Sequence, residues 1–357
     1  MISSEFVAEL QRLGQLVTDY IVNFPAVRKV APDYLKEGVL FYVKKGGKRL
    51  RPAILIWAAE AVGGQAELVL PAAAAIELSH TWTLVHDDII DHDDVRRGGP
   101  SMHAYYRETW RSRINPDNLK DWSQNLAMLV GDIQQALATS MLNALPVEID
   151  RDLVRWLIND LATNWVTEVL NGEMLDVEYA TRSLDQLTET DILSMLDKKT
   201  ASTLSWCGQT GALLGLNKLE PDHHLVKLMA ELCRQAGLAF QLQDDILGII
   251  GDEKELGKPV GSDIREGKRT VLVAYAYHHA DAAGKLILQN ILGKNGATPN
   301  EIDQVRAVLS NSGSIDYVRG LAADYTAQAQ QLLNQLSPSK AATHLQELVS
   351  FITQRKY

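Results

Sequence analysis

Apolar residues recur along this chain at intervals of three and four. Phe6, Leu10, Leu13, Val17 and Ile21 follow one another at spacings of 4, 3, 4 and 4, one face of an amphipathic helix. Leu321, Tyr325, Leu332 and Leu336 trace a similar stripe far downstream. Alanine-rich stretches such as LPAAAAIELSH favour helix by intrinsic propensity. Sheet signals, meaning alternating β-branched runs closed by Asn-Gly or Asp-Gly turns, are nearly absent. The helical pattern breaks at NALPVEID (143–150), KLEPDHH (218–224), GKNGATPNE (293–301) and SPSK (337–340). Within the third break a helix start is expected, with Thr298 as cap, Pro299 in the first turn and Glu301 completing a capping box. None of these breaks is long or polar enough for a domain linker. The pattern predicts a single all-α domain over residues 1–357, with roughly ten or more helices.

Composition narrows the function. With 46% hydrophobic and 22% charged residues over 357 positions, the chain reads as an ordinary globular protein. A net charge of −10 argues against nucleic acid as a partner, because that needs a basic surface. Cys207 and Cys233 lack metal-ligand spacing and are expected as reduced thiols in a cytoplasmic protein. No uninterrupted apolar run reaches the ~18 residues of a membrane span, so no transmembrane segment is expected. Glu5 and Glu9 stand where a signal peptide would carry basic and then apolar residues.

Candidate chemistry concentrates in LVHDDIIDHDDVRRGGPSMH (84–103), where five aspartates fall within eight positions and two arginines follow. On a helix, Asp87 and Asp91 project from one face, in line with His80 and Leu84. Two carboxylates held this way repel unless a cation lies between them, and an all-oxygen donor set suits Mg²⁺. The plainer alternative is an acidic helix end screened by water and salt. A second copy weighs against that alternative. In AFQLQDDILGIIGDEKELGKPVGSDIREGKRT, Asp244 and Asp245 again close an apolar helical run, with Gln241 four residues before Asp245. Lys258, Arg265, Lys268 and Arg269 follow in a glycine-rich stretch that is not a Walker A loop, since five residues separate Gly251 from Gly257. A third cluster, KKGGKRLRP (44–52), sets Lys44, Lys45, Lys48, Arg49 and Arg51 around a diglycine. Alone it reads as a solvated basic loop; beside two acidic motifs it reads as an anion site built from protein cations. Acid pairs and cations together point to a metal-bridged phosphate ligand.

In order and spacing, these motifs resemble the trans-isoprenyl diphosphate synthases, from GGKRLRP through DDIIDHDDVRRG, GEMLD, KKTA and FQLQDD to GKPVGSDIREGKRT. The resemblance covers most of the chain. It implies an all-α helical bundle of the isoprenoid synthase type with a central active-site cavity, a homodimer, and Mg²⁺, three ions to a site. The implied reaction is head-to-tail condensation of isopentenyl diphosphate with an allylic diphosphate. Carried over by position, Asp87, Asp91 and Asp244 match metal ligands, with Asp88 and Asp245 beside them. Arg96 matches an allylic-diphosphate contact, as do Lys199, Thr200, Gln241, Lys258 and Lys268. Lys48, Arg51, His80 and Arg97 match the isopentenyl site, while Glu173 and Asp176 take a supporting role. Trp82, five residues before Asp87, matches the position that often floors the product tunnel, which favours a short product of C20 or C15.

Two departures stand out. Gly248 occupies a place where most members carry aspartate, and the 27 residues between His103 and Gly131 read as a surface insertion. Three other functions share parts of this pattern. A terpene cyclase shares the metal chemistry but leaves GGKRLRP and Arg97 idle. A non-catalytic prenyltransferase subunit need not keep both acidic motifs. An HD-type phosphohydrolase would use the literal His86-Asp87 pair with His80, and leaves the second motif unexplained.

Overall fold

Phe6, Leu13, Val17 and Ile21 lie fully inside on one face of helix α1 (Ser4–Asn23), with Leu10 partly covered, as the spacing predicts. The computed structural model describes residues 3–250 and 261–354. The described residues form two compact units, the first drawn from Met1–Ala162, Cys207–Val226 and Ser339–Ala341, the second from Thr163–Trp206, Lys227–Pro338 and Ala342–Tyr357.

In the first unit, α1 is followed by α2 (Pro25–Arg28), α3 (Asp33–Lys44), α4 (Leu50–Ala61) and α5 (Ala66–Ile90). A two-residue hairpin, β1 (Val95–Arg96) against β2 (Gly99–Pro100), leads into α6 (Met102–Trp110), α7 (Pro116–Asn143) and α8 (Arg151–Asn159). Helix α5 is the axis of this unit and packs against α1, α4 and α7. By length and mean hydropathy α5 is apolar enough to cross a membrane, although Glu67 and Glu77 interrupt its apolar run. Its alanine-rich run, Ala72 to Ala75 with Ile76 and Leu78, is completely buried inside the unit, so its apolar surface is taken up by neighbouring helices.

The segment expected as a surface insertion is largely helical. Asn115 caps α7, Pro116 occupies its first turn, and the segment becomes the start of a 28-residue helix. Trp110 meets Trp122 at 5.1 Å and Tyr34 at 5.2 Å, anchoring an otherwise exposed stretch by aromatic contact.

The second unit contains α9 (Val166–Thr181), α10 (Glu189–Leu196) and most of α12 (His224–Ile250), which α11 (Ser202–Leu216) precedes in the chain. Later helices span Ser262–Glu266, Val271–His279, Ala282–Ile291, Pro299–Asn311 and Ser314–Leu333. Thr298 and Glu301 form the capping box as predicted. In Ser314–Leu333 the deepest line is Val318, Ala322, Thr326, Ala329 and Leu333, displaced by about one residue from the predicted stripe. Small side chains admit the neighbouring helices most closely there, and Leu321 and Tyr325 pack at the margin of the same core. Cys207 and Cys233 are buried and unbridged.

Candidate active site

The first unit carries the first acidic motif at the end of α5. Asp91 caps that helix, and its N–H donates to the Asp87 carbonyl at 2.8 Å, so the two carboxylates stand one turn apart on one edge. Asp87 keeps 23% of its side chain exposed. Asp88, between them in sequence, is completely buried and accepts hydrogen bonds from the Tyr42 hydroxyl and from Arg96 Nε. Burial pushes the Asp88 carboxyl up to about 6, with Arg96 and Tyr42 pulling it back. Asp88 therefore holds Arg96, whose Nη2 also lies 3.9 Å from Asp87 and 3.9 Å from Asp93.

Sequence patterning missed the hairpin that presents the arginines. Arg97 and Gly98 both take positive φ, 54° and 69°, the geometry of a two-residue primed turn. This turn separates the two guanidinium groups. Arg96 points to the aspartates, while Arg97 donates to the carbonyls of Tyr42 (3.2 Å) and Gly46 at the end of α3. Gly47, at φ +131°, lies under Arg97: a Cβ there would sit 2.9 Å from Cζ, so the diglycine is the seat of this arginine. The clustered cations divide into roles the sequence did not separate. Arg49 is buried against Glu77, and Lys45 donates to the Pro100 carbonyl at 2.6 Å. Lys48 is exposed and Arg51 partly buried.

His80 is partly covered by the protein, with Thr83 Oγ1 3.4 Å from its Nδ1. Burial first, then the field of Arg51, Arg97, Arg96 and Arg49, hold its imidazole neutral, well below the usual range. A site ringed by four guanidinium groups is a poor place for a metal cation. His86 turns away to the Met128 carbonyl at 3.2 Å. The two histidines thus do not converge on Asp87 as a phosphohydrolase would need. Trp82, 6% exposed, lies against α7, where a Cβ on Gly131 would come 3.1 Å from its Cδ1.

The second unit builds the other half of the predicted set. Lys199 lies in a π-helical turn, Asp197–Ala201, that approaches α9 so closely that a Cβ on Gly172 would meet the Lys199 backbone nitrogen at 2.3 Å. There Asp176 accepts from Lys199 Nζ at 2.7 Å and from Lys268 Nζ at 2.8 Å, and Glu173 pairs with Lys199 at 2.6 Å. The two lysines hold the Asp176 carboxyl below its ordinary range, against the opposing pull of burial. Thr200 Oγ1 donates to Gln241 Oε1 at 2.9 Å, and Gln241 Nε2 donates to Asp245 Oδ1 at 2.8 Å. Asp245 is 7% exposed, and its Oδ2 has no hydrogen-bond partner among the described residues. Burial, with Asp263, Asp244 and Asp176 nearby, holds this carboxyl well above the usual range. A buried oxygen left without a donor, beside further carboxylates, fits a cation such as Mg²⁺.

At the departure from the usual pattern, a Cβ on Gly248 would sit 2.7 Å from Asp263 Oδ2. Another carboxylate thus abuts the position where most members carry one. Lys258 lies outside the described residues. Sequence reasoning did not single out Tyr42 or Glu77. Glu77 left a signal, a lone acid inside the apolar run LPAAAAIELSH.

Known proteins resemble this chain over most of its length. The family model described as polyprenyl synthetase matches residues 32–309. A geranylgeranyl diphosphate synthase of Methanosarcina mazei is 35% identical over 327 residues, 91% of this chain and 91% of that protein. The crystal structure of a geranylgeranyl pyrophosphate synthetase from Pyrococcus horikoshii superposes with a TM-score of 0.84 at 32% identity, covering 98% of each chain. A geranylgeranyl pyrophosphate synthase from Corynebacterium glutamicum, solved in complex with isoprenyl diphosphate and magnesium, matches with a TM-score of 0.83 at 27% identity, over 98% of this chain and 99% of that one. With its motifs, its helical architecture and these matches in agreement, the chain belongs to the polyprenyl synthetase family.

Proposed function

We propose that residues 1–357 act as one isoprenyl diphosphate synthase domain. The reaction is Mg²⁺-dependent, head-to-tail condensation of isopentenyl diphosphate with dimethylallyl, geranyl or farnesyl diphosphate. The observation that carries this reading is the divided arginine pair: one hairpin turns Arg96 to the aspartates and Arg97 to a separate shelf beside Arg51 and His80. Two cationic sites suit two diphosphates, whereas a cyclase binds one. Geranylgeranyl diphosphate (C20) is the favoured product, with farnesyl diphosphate (C15) next.

Mg²⁺ held by Asp87, Asp91 and Asp244, three ions in all, would neutralise charge on the departing diphosphate. The protein's own cations do the remainder. Arg96, fixed by Asp88, and Lys199, fixed by Asp176, offer preorganised positive charge to the allylic diphosphate, with Lys258, Lys268, Thr200 and Gln241 as further contacts. Lys48, Arg51 and Arg97 orient isopentenyl diphosphate, and neutral His80 supplies a hydrogen bond without adding charge. Apolar walls exclude water, which would otherwise quench the allylic cation to an alcohol. Two copies of the chain form the working unit, and Met128 and Leu129, 47% and 60% exposed on α7, are apolar surface of the kind that such contacts cover. Buried thiols without a disulfide suit a cytoplasmic setting.

The test is incubation of the protein with labelled isopentenyl diphosphate, dimethylallyl diphosphate and Mg²⁺. Chain extension supports the reading; cyclised hydrocarbon or free phosphate without extension refutes it.

The arginines give a finer test. Losing a charged hydrogen-bond partner costs ~1.5–3 kcal/mol, so Arg97→Ala is expected to raise the KM for isopentenyl diphosphate tenfold or more. Arg96→Ala is expected to impair the allylic side instead, and to lower Tm because Asp88 is left buried without its counter-charge. Identical substrate profiles in the two variants would refute the two-site assignment.

Product length is expected to follow Trp82. On α5 it sits roughly 7.5 Å along the axis from Asp87, and its ring meets α7 at Gly131. Trp82→Ala opens that space, and each further five-carbon unit buried there gains ~3–4 kcal/mol. Longer products with condensation preserved are expected by chromatography; an unchanged distribution from a folded, active variant would place the floor elsewhere.

A further inference from the structure

Arg49 and Arg97 converge on one peptide carbonyl. Arg97 Nη1 lies 3.2 Å from Tyr42 O and Arg49 Nη2 lies 3.4 Å from the same oxygen. Arg49 Nη2 also donates to Val43 O, and Arg97 Nη1 to Gly46 O. Together they satisfy the last carbonyls of α3, the negative end of its dipole. Two cations sharing one acceptor in a largely dry site repel strongly unless a negative charge is near. Glu77 provides it: 2% exposed on α5, it takes the hydrogen bond of Arg49 Nη1. Burial and the neighbouring Arg49, Arg96 and Arg51 push the Arg97 guanidinium down, and Glu77 pushes it back up. Arg49 itself is 6% exposed and occupies a left-handed backbone position, φ 50°, at the start of α4. It is therefore built into the scaffold and does not act as a surface ligand. Asp87, Asp88 and Asp93 are the acids beside Arg96, whereas the carboxylate that pulls Arg97 up is Glu77.

We propose that Glu77 is a positioning residue for the isopentenyl diphosphate site: through Arg49 it fixes the carbonyl shelf at the end of α3 and so sets where Arg97 presents its charge. This rests on the two-substrate reading above. Glu77 touches neither substrate. The sequence hid this role because Glu77 lies in an apolar run, 28 residues from Arg49, and only packing of α4 on α5 brings them together.

The experiment compares wild type, Glu77→Gln and Glu77→Asp as full-length proteins, with both substrates varied in steady-state kinetics and folding followed by circular dichroism. Glu77→Gln keeps the shape and removes the charge. It is expected to raise the KM for isopentenyl diphosphate at least tenfold, while kcat and the allylic KM stay within about threefold, since a single charged hydrogen bond is at stake. Glu77→Asp, which keeps the charge, is expected to recover most of that loss. A purely structural role would lower active enzyme without splitting the two KM values. The proposal is overturned by an unchanged or lower isopentenyl KM, by equal changes for both substrates, by no rescue in Glu77→Asp, or by failure of both variants to fold. Wild type without condensation activity would instead overturn the underlying functional reading.

Discussion

Replacing Asp87 or Asp91 by alanine is expected to remove nearly all turnover, a loss on the order of 10²–10³-fold, while leaving the fold intact. The two carboxylates stand one turn apart at the end of α5 and repel each other, a repulsion that Arg96, 3.9 Å from Asp87, offsets in part. Taking one away relieves that repulsion, and for Asp87 also loses a partly exposed contact with Arg96, so Tm is expected to stay close to wild type. The contrast with Asp88 is instructive, because that residue is completely buried and bonded to Tyr42 and Arg96. Measuring kcat across a Mg²⁺ titration, together with thermal melts, checks the assignment. A variant with wild-type kcat at ordinary Mg²⁺ would remove Asp87 or Asp91 from the metal site.

Asp176→Asn is expected to lower both activity and stability, because one carboxylate holds two lysines. With Asp176 neutral, Lys199 and Lys268 lose the counter-charge they share. Breaking a fully buried ion pair costs about 3–5 kcal/mol; here the lysine side chains keep 21% and 14% exposure, so about 2–3 kcal/mol is expected. An equal loss of transition-state stabilisation would lower kcat/KM by about 30- to 140-fold, at 1.4 kcal/mol for each factor of ten. The pH dependence carries its own signature. The folded state holds the Asp176 carboxyl below its ordinary value of 3.8. Its stabilisation is thus fully present above that value and lost as pH falls through the lower folded value, where protonation breaks both pairs. Urea melts below pH 4 should show wild type losing this increment and Asp176→Asn lacking it. Equal pH slopes for the two proteins would mean that the lysines are held by other groups.

Much of the fold was legible because helical periodicity is a local property. The spacing in α1, the capping box at Thr298 and the breaks at 143–150 and 218–224 all depend on residues within a few positions of one another. The acidic motifs were legible for the same reason, since Asp87 and Asp91 share an edge through helical geometry alone. The Val95–Pro100 hairpin escaped because its turn relies on Arg97 and Gly98 adopting positive φ, which only the carbonyls at the end of α3 make worthwhile for an arginine.

By itself, then, the sequence determined the helical class, the family's motifs and which residue types gather at the candidate site. Tertiary structure decided the division of labour among like residues. Nothing local tells Arg49 from Lys48, or Asp88 from Asp87, since each pair is adjacent in the chain and similar in chemistry. Burial and long-range partners tell them apart. Arg49 meets Glu77, and Asp88 meets Tyr42 and Arg96, where the low dielectric makes an unmatched charge costly. Asp87 and Lys48 remain within reach of solvent. A charge's environment is a property of the packed interior, and the packing depends on contacts between residues far apart in the chain.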